Sequence, residues 1–138
     1  MGVDMSELRK RNVYGEWSRD LFADASVVEG DGRTVYIAGM AAEDPADGHI
    51  HHPGDCAAQT RMAYDKIKKI LAAEGGDFRH LVRVVAYLTD MRDKDAYETE
   101  QRRALGGLKP PPHTLLGVSS LAWPGMVVEV EATAVVPR

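Results

Sequence analysis

Pro110-Pro111-Pro112-His113-Thr114-Leu115-Leu116-Gly117-Val118, followed after a short connection by Met126-Val127-Val128-Glu129-Val130-Glu131-Ala132-Thr133-Ala134-Val135-Val136, is the stretch that decides the fold. The second run alternates apolar and polar residues from Val128 to Thr133, the period of two expected of a strand with one buried face. The first is apolar and follows three prolines, whose fixed φ preorganises an extended entry. Both runs read as strands, and the prolines deliver His113 to the start of one. Alternation puts Glu129 and Glu131 on a shared face, so at least one carboxylate faces something other than the core. A glutamate partly removed from water there has a raised pKa and suits proton transfer; the plainer alternative is a strand residue facing solvent or an interface.

Upstream of the prolines, residues 92–105 predict a helix that starts from Asp90 or Asp93 and stops at Gly106-Gly107, with Arg102 and Arg103 complementing its dipole in the last turn. Leu81 to Thr89 is rich in β-branched residues and reads as a strand. From Asp55 to about Glu74 the apolar positions Ala58, Met62, Ile67, Ile70 and Leu71 approximate helical spacing, with Tyr64, Lys66, Lys68 and Lys69 on other faces and Gly75-Gly76 as the stop. The lysines read as a solvated face, with phosphate binding as the alternative. Two apolar runs, Ala23 to Val28 and Thr34 to Met40, flank the turn-rich Glu29-Gly30-Asp31-Gly32-Arg33 and predict a β-hairpin. Gly39, near the end of the second run, permits close approach by a ligand or another chain.

Residues 1–21 are polar, and Ser6 to Arg11 lack the periodicity of a core element, so this segment reads as an arm preceding a single domain at 22–138. Tyr14, Trp17 and Phe22 anchor it on the body or on a neighbouring subunit, and Trp17 and Phe22 are candidates to wall a pocket. The order strand, strand, helix, strand, helix, strand, strand fits two helices on one face of a mixed sheet, a two-layer α/β sandwich.

The terminal residues resemble the Rid family, the reactive-intermediate deaminases also called YjgF-type or L-PSP proteins. Pro112-His113-Thr114 through Val118, Leu121 and Val128-Glu129-Val130-Glu131-Ala132 fall at spacing compatible with that family's C-terminal signature, and Val35-Tyr36-Ile37-Ala38-Gly39 resembles the end of its first hairpin. The resemblance spans about residues 22–138. It implies a chorismate-mutase-like fold, a homotrimer with clefts between subunits, and hydrolytic deamination of a small imine, enamine or related C–N substrate without a metal or organic cofactor. In that scheme a carboxylate matching Glu129 positions or activates water. The family's carboxylate-gripping arginine falls at His113, its nearby cysteine at Leu115, and its hairpin tyrosine near Ala25. Histidine is smaller, partly neutral near pH 7 and cannot fork onto a carboxylate as arginine does. The departure predicts a substrate other than an ordinary 2-imino acid, with His113 as acid/base or single donor, or a pocket that only binds small molecules. The expected site has Glu129 and His113 as catalytic residues and Gly39, Phe22, Trp17 and Thr114 around the substrate.

Composition narrows the alternatives. The 138 residues, 44% hydrophobic and 28% charged, suffice for one domain with its own core. A net charge of -4 and the lack of a Lys/Arg-rich run disfavour nucleic acid as a partner, and with it the ribonuclease activity that the older L-PSP name implies. No apolar run approaches the ~18 residues of a membrane span and no charged-then-apolar leader pattern opens the chain, so no membrane contact and a cytoplasmic location are expected. Cys56, the only cysteine, reads as a space filler. Loop residues 43–55 carry His49, His51 and His52, but no cysteine or helical histidine completes a zinc pattern; a solvated loop without metal is expected. An interaction scaffold using Leu121-Ala122-Trp123-Pro124 is the remaining alternative.

Overall fold

The computed structural model describes residues 7–138; residues 1–6 of the expected arm lie outside the described residues. The elements run β1 (Arg9–Val13), β2 (Ala25–Glu29), β3 (Arg33–Met40), α1 (Cys56–Ala73), β4 (Leu81–Leu88), α2 (Lys94–Leu105), β5 (His113–Gly117) and β6 (Val128–Val136). Four strands form a mixed sheet in the order β3-β6-β4-β5, with β6 antiparallel to both its neighbours and β5 parallel to β4.

The alternation of β6 is what divides the molecule into two faces. Val128, Val130, Ala132, Ala134 and Val136 are buried, while Glu129, Glu131, Thr133 and Val135 between them are half-buried. Ala63, Tyr64, Ile67 and Leu71 of α1 join Tyr97 and Leu105 of α2 in one core with the buried side of the sheet. Each fully buried aliphatic side chain there contributes about 1.5–3 kcal/mol. Among the described residues the sheet's other face carries no helix. Helix ends follow local chemistry: the Asp55 carboxylate accepts from the Ala58 N–H at 3.1 Å to cap α1, and Gly106 closes α2 at φ 60, a left-handed conformation that favours glycine. No helix among the described residues is long and apolar enough to cross a membrane.

Four local expectations are corrected. β2 and β3 do not form the predicted hairpin: β2 pairs with β1, and β3 with β6. Gly30, at φ 89, packs so closely on the Glu7 carbonyl that an added Cβ would lie 1.9 Å from its oxygen, and the turn passes the chain from one sheet to the other. The segment read as an arm contains β1, which pairs through backbone groups over five residues and so needs no apolar stripe. Tyr64 is 2% exposed and belongs to the core rather than to another face of α1. Lys66 is not simply solvated, since its ammonium donates to the Ala41 and Glu43 carbonyls.

Candidate functional site

Glu129 stands on the helix-free face of β6, opposite Tyr87 of β4. On its other side, Ile37 pairs with Ala132 and Met40 with Val130, so three steps along β3 match two along β6 and a bulge falls at Ala38-Gly39. The Glu129 side chain lies across this bulge. A Cβ on residue 39 would be 2.5 Å from its Oε1 and 2.6 Å from its Cδ, so the seat exists because residue 39 is glycine. Burial, followed by the nearby charges of Glu43 and Glu131, raises the Glu129 pKa. Glu131 accepts a hydrogen bond from the Tyr87 hydroxyl, which raises the pKa of that tyrosine. Among the described residues no donor engages the Glu129 carboxyl. A carboxyl with raised proton affinity and no competing donor is suited to exchange protons with water. Thr114 pairs with Val85 and therefore shares this face of the sheet, at a shallow depression at the sheet's edge whose lining also includes Arg83, Ser26, Phe22 and His113.

His113 faces the other way. Its partner in the parallel ladder is Val84, a core residue on the helix side, and its Nε2 lies 2.7 Å from the Tyr97 hydroxyl. That hydroxyl is in turn 2.7 Å from the buried Tyr64 hydroxyl. Burial outweighs the attraction of Glu98 and lowers the His113 pKa to about 4, leaving the ring neutral near pH 7. Beside it opens a cavity of about 630 Å³, walled by Trp17, Phe22, Gln101, Arg102, Leu105 and Leu115 among others. Phe22 meets Trp17 edge-on at 5.9 Å. The wall they form is tied down where the Tyr14 hydroxyl donates to the Pro110 carbonyl at 2.9 Å and the Ala23 N–H to the Pro111 carbonyl at 3.1 Å. Gln101 is buried on the same side, beside the Tyr64 hydroxyl.

The expected site residues thus fall into two groups. His113, Phe22 and Trp17 share the cavity on the helix side; Glu129 and Gly39 are in contact on the open side, where Thr114 also faces. Within one chain, Glu129 and His113 lie on opposite faces of the sheet. Sequence reasoning missed Tyr87, Tyr97 and Gln101. Alternation along residues 81–88 carries the signal for Tyr87, whereas nothing local marks Tyr97 or Gln101, whose roles depend on how α2 packs. Cys56 is buried beside Thr60, and burial raises its thiol pKa, as befits a space-filling residue.

A family profile described as Endoribonuclease L-PSP matches residues 9–136. The chain belongs to this family, the Rid family. It is 33% identical over 123 residues to protein DfrA of Myxococcus xanthus, covering 89% of this chain and 87% of that protein. It is also 33% identical over 107 residues to a Mus musculus protein named 2-iminobutanoate/2-iminopropanoate deaminase, covering 75% of this chain and 74% of the mouse protein. Among solved structures, the Rid family protein YyfB of Yersinia pestis superposes with a TM-score of 0.78 at 27% identity, over 91% of this chain and 97% of that one. RidA from the Antarctic bacterium Psychrobacter sp. PAMC 21119 superposes with a TM-score of 0.67 at 29% identity, over 83% and 87%. The match to the Rid profile begins at residue 9, not near residue 22, and so takes in β1.

Proposed function

We propose that this Rid protein is a cytoplasmic homotrimeric hydrolase that converts a small imine, or the enamine in equilibrium with it, into a carbonyl compound and ammonia. The observation that carries the reading is the seat of Glu129: a carboxyl of raised proton affinity, folded over the Gly39 bulge, engaged by no donor among the described residues, and adjacent to the Tyr87–Glu131 pair. Glu129 takes a proton from water as the water oxygen bonds to the imine carbon, and the C=N electron pair moves to nitrogen, which takes up a proton. The resulting carbinolamine loses ammonia when the Glu129 proton passes to nitrogen, the C–N bond breaks and the hydroxyl collapses to the carbonyl, releasing its proton to solvent and so returning the one that nitrogen took from solvent in the first step. Water is the only co-reactant. In the trimer, which the family resemblance supports, a neighbouring chain closes a cleft over the open face of the sheet.

A neutral His113 hydrogen-bonded to Tyr97 supplies no fixed cation, so any grip on a substrate carboxylate in this cavity falls to its other basic residues, Arg19, Lys94, Arg102 and Lys109. The name of the mouse relative supports the reaction class. The test generates imines in situ with amino-acid oxidase and amine oxidase, traps what remains with semicarbazide, and compares wild type with Glu129→Gln and His113→Arg. Loss of hydrolysis in Glu129→Gln, with a gain on 2-imino acids in His113→Arg, is the expected pattern. A second reading, a trimer that binds small molecules without turning them over, is favoured by the cavity beside His113 and becomes the account if wild type hydrolyses neither imine class.

A further inference from the structure

The loop between β3 and α1 folds into a tight, well-tied unit. The Asp44 N–H donates to the His49 carbonyl at 2.7 Å, the Gly48 N–H to the Asp44 carbonyl at 2.8 Å and the His51 N–H to the Ala42 carbonyl at 2.8 Å. From below, the buried Gln59 amide donates to the carbonyls of His51 and His52, and Lys66 to those of Ala41 and Glu43. This fixed backbone brings together three side chains separated in sequence. One donor atom each from Asp44, His49 and His51 lies within 4.8 Å of the others. Asp44 Oδ2 is 2.8 Å from His51 Nε2, and the His49 and His51 rings are 4.4 Å apart. Asp47 Oδ1 sits 2.6 Å from His49 Nδ1, the outer carboxylate that commonly orients a ligating ring and leaves its other nitrogen for an ion. Donors that hold zinc at about 2.0–2.2 Å sit roughly 3.5 Å apart, within reach of small side-chain adjustments here.

We propose that Asp44, His49 and His51 form a binding site for a divalent transition-metal cation. Two imidazoles and a carboxylate are a donor set for zinc, cobalt, nickel or copper rather than for calcium or magnesium. Glu43, Asp44 and Asp47 concentrate negative charge on the same loop. Three protein ligands leave a coordination position for water. The sequence singles out His49 and His51 but not Asp44, which lies five residues before His49 and is brought to them by the turn at Gly48.

The experiment uses the full chain, free of any histidine tag and stripped with chelator, titrated with zinc chloride by calorimetry and with cobalt chloride by visible absorption. One ion per chain is expected, with cobalt d–d bands of a nitrogen/oxygen site. His49→Ala, His51→Ala and Asp44→Asn are each expected to weaken zinc binding about 10-fold or more, and His52→Ala to leave it unchanged. Circular dichroism melts verify that each variant is folded. Zinc affinity in the His49→Ala/His51→Ala double variant equal to wild type, no binding by wild type, or an equal loss in His52→Ala would each overturn the proposal.

Discussion

At the scale of single residues, the proposed chemistry rests on the contact between Glu129 and Gly39. Gly39→Ala places a methyl where the Glu129 side chain lies, with its nearest contact 2.5 Å away, but the atoms in its path are the far end of a flexible side chain. The fold is therefore expected to survive, with a stability change of about 1 kcal/mol or less by melting, and the proposed imine hydrolysis is expected to fall about 10-fold or more because the carboxyl leaves its seat. The proton affinity of Glu129 is a second handle. Burial and the charges of Glu43 and Glu131 disfavour its ionised form, so the acid limb of kcat/KM is expected above the ordinary glutamate value of 4.5. Glu43→Gln removes a like charge and is expected to move that limb to lower pH, as followed by the semicarbazide assay across pH. Both residues were legible in the sequence, Glu129 from alternation and resemblance, Gly39 as a residue without a side chain at a strand end. Their contact was not, because it needs the extra residue that the bulge inserts into β3.

At the scale of elements, Tyr64 of α1, Tyr97 of α2 and His113 of β5 form a buried hydrogen-bonded chain that ties both helices to the edge strand. Tyr97→Phe deletes the middle hydroxyl and leaves two buried polar groups without that partner. A loss of about 1–3 kcal/mol is expected in urea unfolding. His113 also couples the fold to pH. Its pKa is about 4 when folded against an ordinary 6.5, so on acidification the unfolded chain takes up this proton first. The contribution is whole above pH 6.5 and is lost as pH falls through 4. His113→Asn is expected to flatten the fall in melting temperature across that window. The helices and β4 to β6 were readable from periodicity and caps, while the pairing of β2 with β1 was not. Nor was the side of the sheet that His113 faces: that depends on the parallel register Val84–His113, which a single strand does not encode.

For the whole molecule, the decisive feature is a sheet that helices cover on one side only among the described residues. Tyr36, 82% exposed, and Leu116, 43% exposed, stand on the other side with Thr133 and Thr114, and in the proposed trimer neighbouring chains cover them. Tyr36→Arg combined with Leu116→Arg is expected to shift sedimentation velocity from a three-chain species to single chains with the far-UV spectrum retained. The same change abolishes hydrolysis if the cleft over Glu129 needs its neighbour. The two-layer architecture followed from element order, whereas the segregation of His113 and Glu129 to opposite faces emerges only when strand order and register are combined.

The most direct test of the central claim is the initial rate of semicarbazide-trapped imine loss for wild type and for Glu129→Gln at equal concentration, across imines with and without a carboxylate. The account predicts wild-type hydrolysis above the uncatalysed rate on at least one of the two classes, and a fall of about 100-fold or more in the variant, the scale on which a positioned acid/base group acts. Equal rates for the two proteins, or no wild-type rate above background on either class, would contradict it.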